Sequence, residues 1–160
     1  MNYVVCCVPV APIRLAPNHK SEMISQLLFG ECCIVNDTDK TGWAKIICKD
    51  DGYTGWCQLA HVIEIDSAQY NNNEVILAAD WVNEIEYNGS KMIIPLGSLI
   101  NAQINEIQFL GKVWKPANTK RDATITKEIA LKFLNTTYLW GGRTIFELIV
   151  VVLHRQYIIF

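Results

Sequence analysis

The cysteines carry the most reactive side chains in the chain, and all six lie within its first 57 residues. They are Cys6, Cys7, Cys32, Cys33, Cys48 and Cys57. No Cys-x-x-Cys spacing occurs, no histidine stands at a zinc-finger interval, and nothing marks one thiol as an activated nucleophile. The pattern favours thiols that serve as small core residues in a reducing compartment. A metal site and a disulfide framework stay as alternatives, and no cofactor is expected.

A second group of residues suits the binding of a ligand. Glu22 and Glu31 flank the segment 21–30, and a carboxylate near an aromatic ring attracts an ammonium group. Tyr53 follows a glycine in a turn and is therefore expected to be exposed. Trp43 and Trp56 fit a structural role in the core as well as a ligand-binding surface. The alternative for both acids is a solvated surface carboxylate, and this alternative is favoured more strongly for Glu31 than for Glu22.

Composition excludes several classes of function. The chain has 160 residues, 51% of them hydrophobic, with 14 basic and 16 acidic side chains. That balance gives no basic excess for nucleic acid, and no apolar run reaches the roughly 18 residues that span a membrane. The first ten residues have no basic segment typical of a signal peptide. We therefore expect a cytoplasmic protein, or one of the cell envelope if a leader peptide was removed.

The elements that must position these residues are predicted to be short strands. Apolar, β-branched or alternating segments lie at 4–8, 24–29, 32–35, 43–48, 55–58 and 61–65, separated by turns. Residues 1–65 therefore form one small β domain. In a strand, adjacent cysteines are expected to split between core and surface. Pro9 and Pro12 are expected to keep their segment off the central ladder.

A second β-rich unit follows at 74–116, after a polar linker at 66–73. Its predicted strands lie at 75–82, 85–87, 92–96, 107–111 and 112–114, and Asn88-Gly89 is a strong hairpin turn. Residues 124–133 have helical spacing. The final segment, 147–160, is apolar and rich in β-branched residues, which is an aggregation signature. We expect a homodimer or larger assembly through 124–160.

Several motifs together resemble a known family. Residues 8–14, 21–31 and 51–56 resemble the first bacterial SH3 (SH3b) domain of NlpC/P60 cell-wall cysteine peptidases. The segment 134–143, which contains Tyr-Leu-Trp-Gly-Gly-Arg, resembles the stretch that leads to their catalytic cysteine. The order matches the type that cleaves γ-D-glutamyl-L-diamino acid bonds in murein peptides. The resemblance implies a mainly β fold of two tandem SH3-like barrels at 1–65 and 74–116, followed by one helix in a peptidase fragment at 123–146.

The resemblance ends where the nucleophile is expected. The position of the family cysteine falls at Val150, and the two family histidines are not found downstream. A single-nucleotide deletion in codons for Gly-Ile-Asp-Cys-Ser-Gly-Phe can produce the residues from Glu147 onward. We therefore interpret 147–160 as a frameshifted tail on a truncated peptidase, and we expect no peptidase activity.

The resemblance also implies a ligand. The first SH3 domain of such enzymes is expected to hold the free amine of an N-terminal L-Ala, as in peptides that contain L-Ala-γ-D-Glu. The matching residues are Glu22 as counter-ion and Tyr53 as hydrogen-bond partner, with Trp56 beside them. Tyr138 matches a family tyrosine near the catalytic thiol. The alternative is an interaction module that binds a partner through the face of Tyr53 and Trp56 and dimerises through its C-terminal segment.

Overall fold

The computed structural model of the protein describes residues 2–74, 76–100, 107–109, 113–114, 131, 133–144 and 147–148. These residues are mainly β, as the sequence predicts. The first seven strands form one antiparallel sheet in the order β3-β2-β6-β5-β4-β1-β7. They are β1 (Asn2–Cys6), β2 (Val10–Arg14), β3 (Met23–Leu28), β4 (Cys32–Thr38), β5 (Trp43–Cys48), β6 (Thr54–Gln58) and β7 (Val62–Ile65).

The sheet curls into a barrel around one apolar cluster. A flat sheet of this width would hold its two edge strands roughly 30 Å apart. Here every strand, both edges included, contributes to the same buried set, so the sheet must close around it. The set comprises Val4, Cys6, Ala11, Ile13, Leu27, Cys33, Ala44, Ile46, Cys48, Cys57 and Val62. We call this set the barrel core.

Pro12 lies inside the sheet, contrary to the prediction that the two prolines keep their segment off the ladder. It stands opposite Gln26 of β3, at a position whose amide would point away from that strand. On the other side of β2, the pairing with β6 occurs at Arg14. Pro12 is accommodated because the ladder does not use an N–H there.

Residues 4–6 of β1 and the first two residues of β4 are buried on both faces of the sheet. Cys33 points into the barrel core, whereas its neighbour Cys32 points the other way and is nevertheless only 3% exposed. The outer face of these strands is covered by a second apolar cluster, which we call the outer core. Its buried members are Val5, Phe29, Cys32, Ile65, Ala78, Ile85 and Ile94. The prediction that each cysteine pair splits between core and surface is therefore wrong for Cys32 and Cys33, because a second unit packs there.

That second unit supplies the rest of the outer core. Its strands are β8 (Leu77–Ala78), β9 (Val82–Tyr87), β10 (Ser90–Pro95), β11 (Ile107–Phe109) and β12 (Val113–Trp114). They form a three-stranded sheet, β10-β9-β11, and a pair, β12-β8. The Asn88-Gly89 turn is confirmed: both residues have positive φ, 50° and 69°, and Tyr87 pairs with Ser90. A second closed barrel stays a prediction.

The connection between the units is partly helical, although the sequence predicts a polar linker at 66–73. Helix α1 (Ser67–Asn71) begins at a capping box. The Asp66 carboxylate accepts a hydrogen bond from the Gln69 amide at 2.7 Å, and the Gln69 side chain accepts one from the Asp66 amide at 2.9 Å. The reciprocal pair satisfies two N–H groups that a helix start otherwise leaves without partners.

The helix is also held at its other end. The Lys49 ammonium donates to the carbonyl oxygens of Tyr70 at 2.5 Å and Asn72 at 2.9 Å. The Tyr70 ring stacks on Tyr3 of β1 with centroids 4.2 Å apart. A cation is favourable at a helix C-terminus, where carbonyl groups lack partners within the helix. These contacts fix the connection to the barrel.

Three short strands close the described part of the chain. They are β13 (Thr137–Tyr138), β14 (Arg143–Thr144) and β15 (Glu147–Leu148), in the order β13-β15-β14. Most of the predicted helix at 124–133, Val150 and the remainder of the predicted tail lie outside the described residues. Among the described residues, no helix has the length and apolar character to cross a membrane.

The contact between the two units predicts a steric effect at Gly30. Its φ is 83°, and a Cβ at this position would overlap the carbonyl oxygen of Leu99. Gly42 has a similar φ of 92° with nothing within 4 Å of such a Cβ. We expect Gly42→Ala to cost roughly 1–2 kcal/mol from the left-handed backbone alone. Gly30→Ala should cost roughly another 1–3 kcal/mol from overpacking.

Urea denaturation of the two variants measures this difference in the free energy of unfolding. Equal losses for Gly30→Ala and Gly42→Ala would contradict the close approach of the two units.

Candidate functional site

The candidate site lies along strand β3, an edge of the barrel sheet. An edge strand presents backbone N–H and C=O groups that need partners. In this protein three of these groups bind side chains from other parts of the chain. The Tyr53 hydroxyl donates to the Ile24 carbonyl at 3.2 Å, the Arg143 guanidinium donates to the Gln26 carbonyl at 2.7 Å, and the Leu28 amide donates to the Glu31 carboxylate at 3.0 Å.

Arg143 and Glu31 form a buried bidentate ion pair. Nη1 of Arg143 donates to Oε2 of Glu31 at 2.7 Å, and Nη2 donates to Oε1 at 2.6 Å. The two side chains are 7% and 11% exposed. Burial disfavours the charge of Arg143, but its attraction to and hydrogen bonds with Glu31 raise the pKa of the guanidinium overall. The Arg143 guanidinium therefore stays protonated although it is buried.

The prediction that Glu31 is a solvated surface acid is wrong, because the residue is buried. Glu31 follows the Gly30 turn, and its carboxylate points back over the end of β3, where it meets both the Leu28 amide and Arg143. Arg143 also donates its backbone N–H to the Gln26 side chain at 2.7 Å. These bonds satisfy the carboxylate inside the protein, as a buried charge requires.

A close backbone contact joins the C-terminal segment to β3. Gly141 has a φ of 76°, and a Cβ there would lie 2.8 Å from the carbonyl oxygen of Met23 and 3.1 Å from the amide nitrogen of Ser25. Only glycine tolerates both this φ and this proximity. The Gly-Gly-Arg sequence thus serves two purposes: Gly141 permits the approach, and Arg143 anchors it. We call residues 137–144 the docked segment.

The structure places two of the three residues predicted to bind a ligand, Glu22 and Tyr53, at strand β3. Glu22 is exposed immediately before β3. Tyr53 binds the backbone of β3 through its hydroxyl. Tyr138, which matches a family active-site tyrosine, lies in the docked segment and is 64% exposed. Trp56 lies on β6, which β2 separates from β3, and is half-buried opposite Arg14.

Tyr53 is less exposed than its position in a turn predicts. Its ring packs on the barrel core, which leaves the residue half-buried. Its backbone N–H donates to the Asp51 carboxylate at 2.8 Å, so the turn itself orients the residue. The expected structural role of Trp43 is confirmed, since it is 5% exposed and stacks edge-on against His19 at 5.2 Å between centroids.

The cysteines behave as core residues. All six are free thiols, and all except Cys7 are buried. Burial raises the pKa of Cys6, raises that of Cys32 to about 11 and raises that of Cys57 to about 12. These thiols stay protonated at neutral pH, and a protonated thiol is a poor nucleophile. Within the described ranges, no group of three or more His, Cys, Asp or Glu side chains is arranged to hold a metal ion.

Sequence reasoning missed Arg143 as a site residue. A single arginine after two glycines has no pattern that distinguishes a buried anchor from a solvated side chain. The available signal was compositional: an isolated charge close to the apolar residues Tyr138, Leu139 and Trp140. Its partner, 112 residues earlier, follows from the fold alone.

Comparison with known proteins identifies the domain that contains most of this site. Residues 13–62 match the family model of the bacterial dipeptidyl-peptidase SH3 domain. The match supports the predicted SH3b domain and includes Glu22, Tyr53 and Trp56. The docked segment lies outside the matched range. No curated protein shows significant similarity to the chain.

The ion pair predicts a large and asymmetric effect on stability. Arg143→Met leaves the Glu31 carboxylate buried without its cation and should cost roughly 3–5 kcal/mol. The double variant Glu31→Gln/Arg143→Met should recover part of that loss, because no lone buried charge remains. Lys91→Met, which removes the exposed pair with Glu84, is the matched control and should change stability little.

Chemical denaturation of the four proteins tests this expectation. A loss for Arg143→Met no larger than that for Lys91→Met would contradict the assignment of the pair as the anchor of the docked segment.

Proposed function

We propose that the protein is a cell-wall-binding module that recognises short murein peptides with a free N-terminal L-Ala, and that it is not itself a peptidase. The match of residues 13–62 to a dipeptidyl-peptidase SH3 domain supports a role at the cell wall. The observation that carries the finer proposal is the docked segment, which the Arg143–Glu31 pair holds against strand β3, directly after Glu22.

Recognition of the amine follows from charge. Glu22 is an exposed carboxylate at the start of β3, and an α-ammonium group attracts such an acid. Tyr53, which binds the Ile24 carbonyl of β3, and the exposed Tyr138 of the docked segment supply aromatic rings with hydroxyl groups. The Glu31 carboxylate is already paired with Arg143, whereas Glu22 is exposed and is the acid that the resemblance assigns to the ligand amine. A solvated site of this kind gives weak binding, because water screens the charges.

The absence of catalysis is proposed on chemical grounds. The resemblance to NlpC/P60 peptidases assigns the nucleophile to position 150, where the chain has valine. A hydrocarbon side chain cannot attack a carbonyl carbon. The thiols of Cys6, Cys32 and Cys57 are buried with raised pKa values, so they do not offer a substitute thiolate at neutral pH.

One experiment addresses both parts of the proposal. L-Ala-γ-D-Glu-diaminopimelate is titrated into the full chain by calorimetry, and the mixture is then analysed for released dipeptide. We expect weak binding, a several-fold loss of affinity for Glu22→Gln, and intact peptide after incubation. Glu64→Gln, on the opposite edge strand β7, is the matched control and should bind as the unaltered protein does.

The outcomes separate the two parts. Equal affinity for Glu22→Gln and Glu64→Gln would contradict the amine site. Released L-Ala-γ-D-Glu would overturn the non-catalytic assignment, whatever the affinity.

A second candidate is an interaction module that self-associates through its C-terminal segment. Large apolar side chains crowd the exposed surface there: Leu131, Leu134, Tyr138 and Trp140 are 53–67% exposed. Exposed apolar patches commonly mark protein interfaces. We expect light scattering to give the mass of a dimer or larger species, and Leu134→Glu to shift the protein toward monomer. Ile93→Glu, on an exposed position of β10, is the control. A monomer at all concentrations would reject this candidate.

A further inference from the structure

Four of the cysteines share the barrel core. They are Cys6, Cys33, Cys48 and Cys57. They lie on four different strands, and their spacing along the sequence does not show which two thiols are close enough to form a disulfide. The strand register does distinguish them, because it determines which thiols face each other directly.

Cys33 of β4 stands directly opposite Cys48 of β5. The neighbouring pair, Cys32 and Lys49, is joined by a bond from the Lys49 amide to the Cys32 carbonyl at 2.9 Å. Hydrogen-bonded and non-hydrogen-bonded pairs alternate along an antiparallel ladder, so Cys33 and Cys48 form a non-hydrogen-bonded pair. In such pairs the Cα atoms are about 4.5 Å apart and the side chains lie closest.

This spacing falls within the range that a disulfide requires, about 4.4–6.8 Å between Cα atoms. Both side chains belong to the barrel core, so the two thiols point to the same face of the sheet. We propose that Cys33 and Cys48 are an oxidation site, where a cross-strand disulfide forms between β4 and β5. The proposal rests on the barrel register and is independent of peptide binding.

The other core thiols have different partners. Cys57 stands opposite Ala44, and Cys6 donates its thiol to the carbonyl oxygen of Val8 at 3.4 Å. Cys32 points into the outer core, on the opposite face of β4. The register therefore selects one pair from the six cysteines.

Formation of the disulfide requires a two-electron oxidant, and hydrogen peroxide can serve as that oxidant. Cys48 is 8% exposed at the end of β5 and Cys33 is fully buried, so the oxidant reaches Cys48 first. The sulfur of Cys48 attacks one peroxide oxygen, the O–O bond breaks, and the leaving hydroxide takes up the proton of the Cys48 thiol to form water. The sulfur of Cys33 then attacks the sulfur of the resulting sulfenic acid, and the displaced hydroxide takes up the proton of the Cys33 thiol to form the second water. Two thiols are oxidised to one disulfide while hydrogen peroxide is reduced to two waters.

The crosslink would act on the turn that carries Tyr53. The Cys48 amide donates to the Tyr53 carbonyl at 2.9 Å, and the turn between them joins β5 to β6. A covalent bond at Cys48 would therefore fix the base of this turn. Since thiols persist in reducing compartments and disulfides in oxidising ones, the state of the pair would also differ between cytoplasm and cell envelope.

The test uses the full, folded chain treated with hydrogen peroxide, then unfolded, alkylated and mapped by mass spectrometry. We expect the number of alkylated cysteines to fall from six to four, with one crosslinked peptide pair joining Cys33 to Cys48. The oxidised protein should also unfold with an equilibrium constant about 100-fold smaller, as expected for a loop of this length. Dithiothreitol should reverse both changes.

Variants give a second, independent readout. Cys48→Ala should abolish the crosslink, and Cys57→Ala, a matched change in the same core, should leave it intact. Six alkylatable thiols after treatment, or a crosslink that joins any other pair, would overturn the proposal. Because mapping of the unaltered protein decides the question, a variant that fails to fold does not affect the result.

Discussion

The buried ion pair between Arg143 and Glu31 is the interaction on which the arrangement of this protein depends. It joins a residue near the C-terminal end of the described chain to the first turn after strand β3. A buried pair is not in itself a strong source of stability, since the desolvation of both charges offsets much of their attraction. Its consequence is positional. Once Glu31 is buried, only a cation with matching geometry can satisfy it, and Arg143 brings the docked segment with it.

The same contact explains how the edge strand β3 is protected from pairing with another chain. The open side of β3 would otherwise offer backbone groups to another chain. Tyr53, Glu31 and Arg143 bind those groups with side chains, and Gly141 lets the docked segment lie directly against the strand. The strand protected from pairing is thus also the strand that Glu22 precedes and that Tyr53 binds. Structural protection and the proposed recognition of peptides share the same strand.

The two apolar clusters give the fold its second constraint. Strand β1 and the start of β4 contribute alternate residues to the barrel core and to the outer core, so both faces are buried there, whereas β4 ends in exposed residues. Gly30 and Phe29 lie where the units meet, and the Phe29 carbonyl accepts a hydrogen bond from the Leu99 amide at 2.9 Å. The second unit therefore packs on the SH3-like barrel as part of one structure, and changes on either side of the contact affect both.

The sequence by itself determined the features that depend on near neighbours. Alternation of apolar residues predicted β5 at its observed bounds, and Asn88-Gly89 predicted a hairpin because both residues tolerate positive φ. The segments around Glu22 and Tyr53 were sufficient to indicate an SH3b domain. Tertiary structure alone decided the burial of Glu31, its pairing with Arg143, the burial of Cys32 and the facing of Cys33 and Cys48. Each of these depends on residues distant in the sequence, and a local pattern records only which face a side chain takes, not what covers that face.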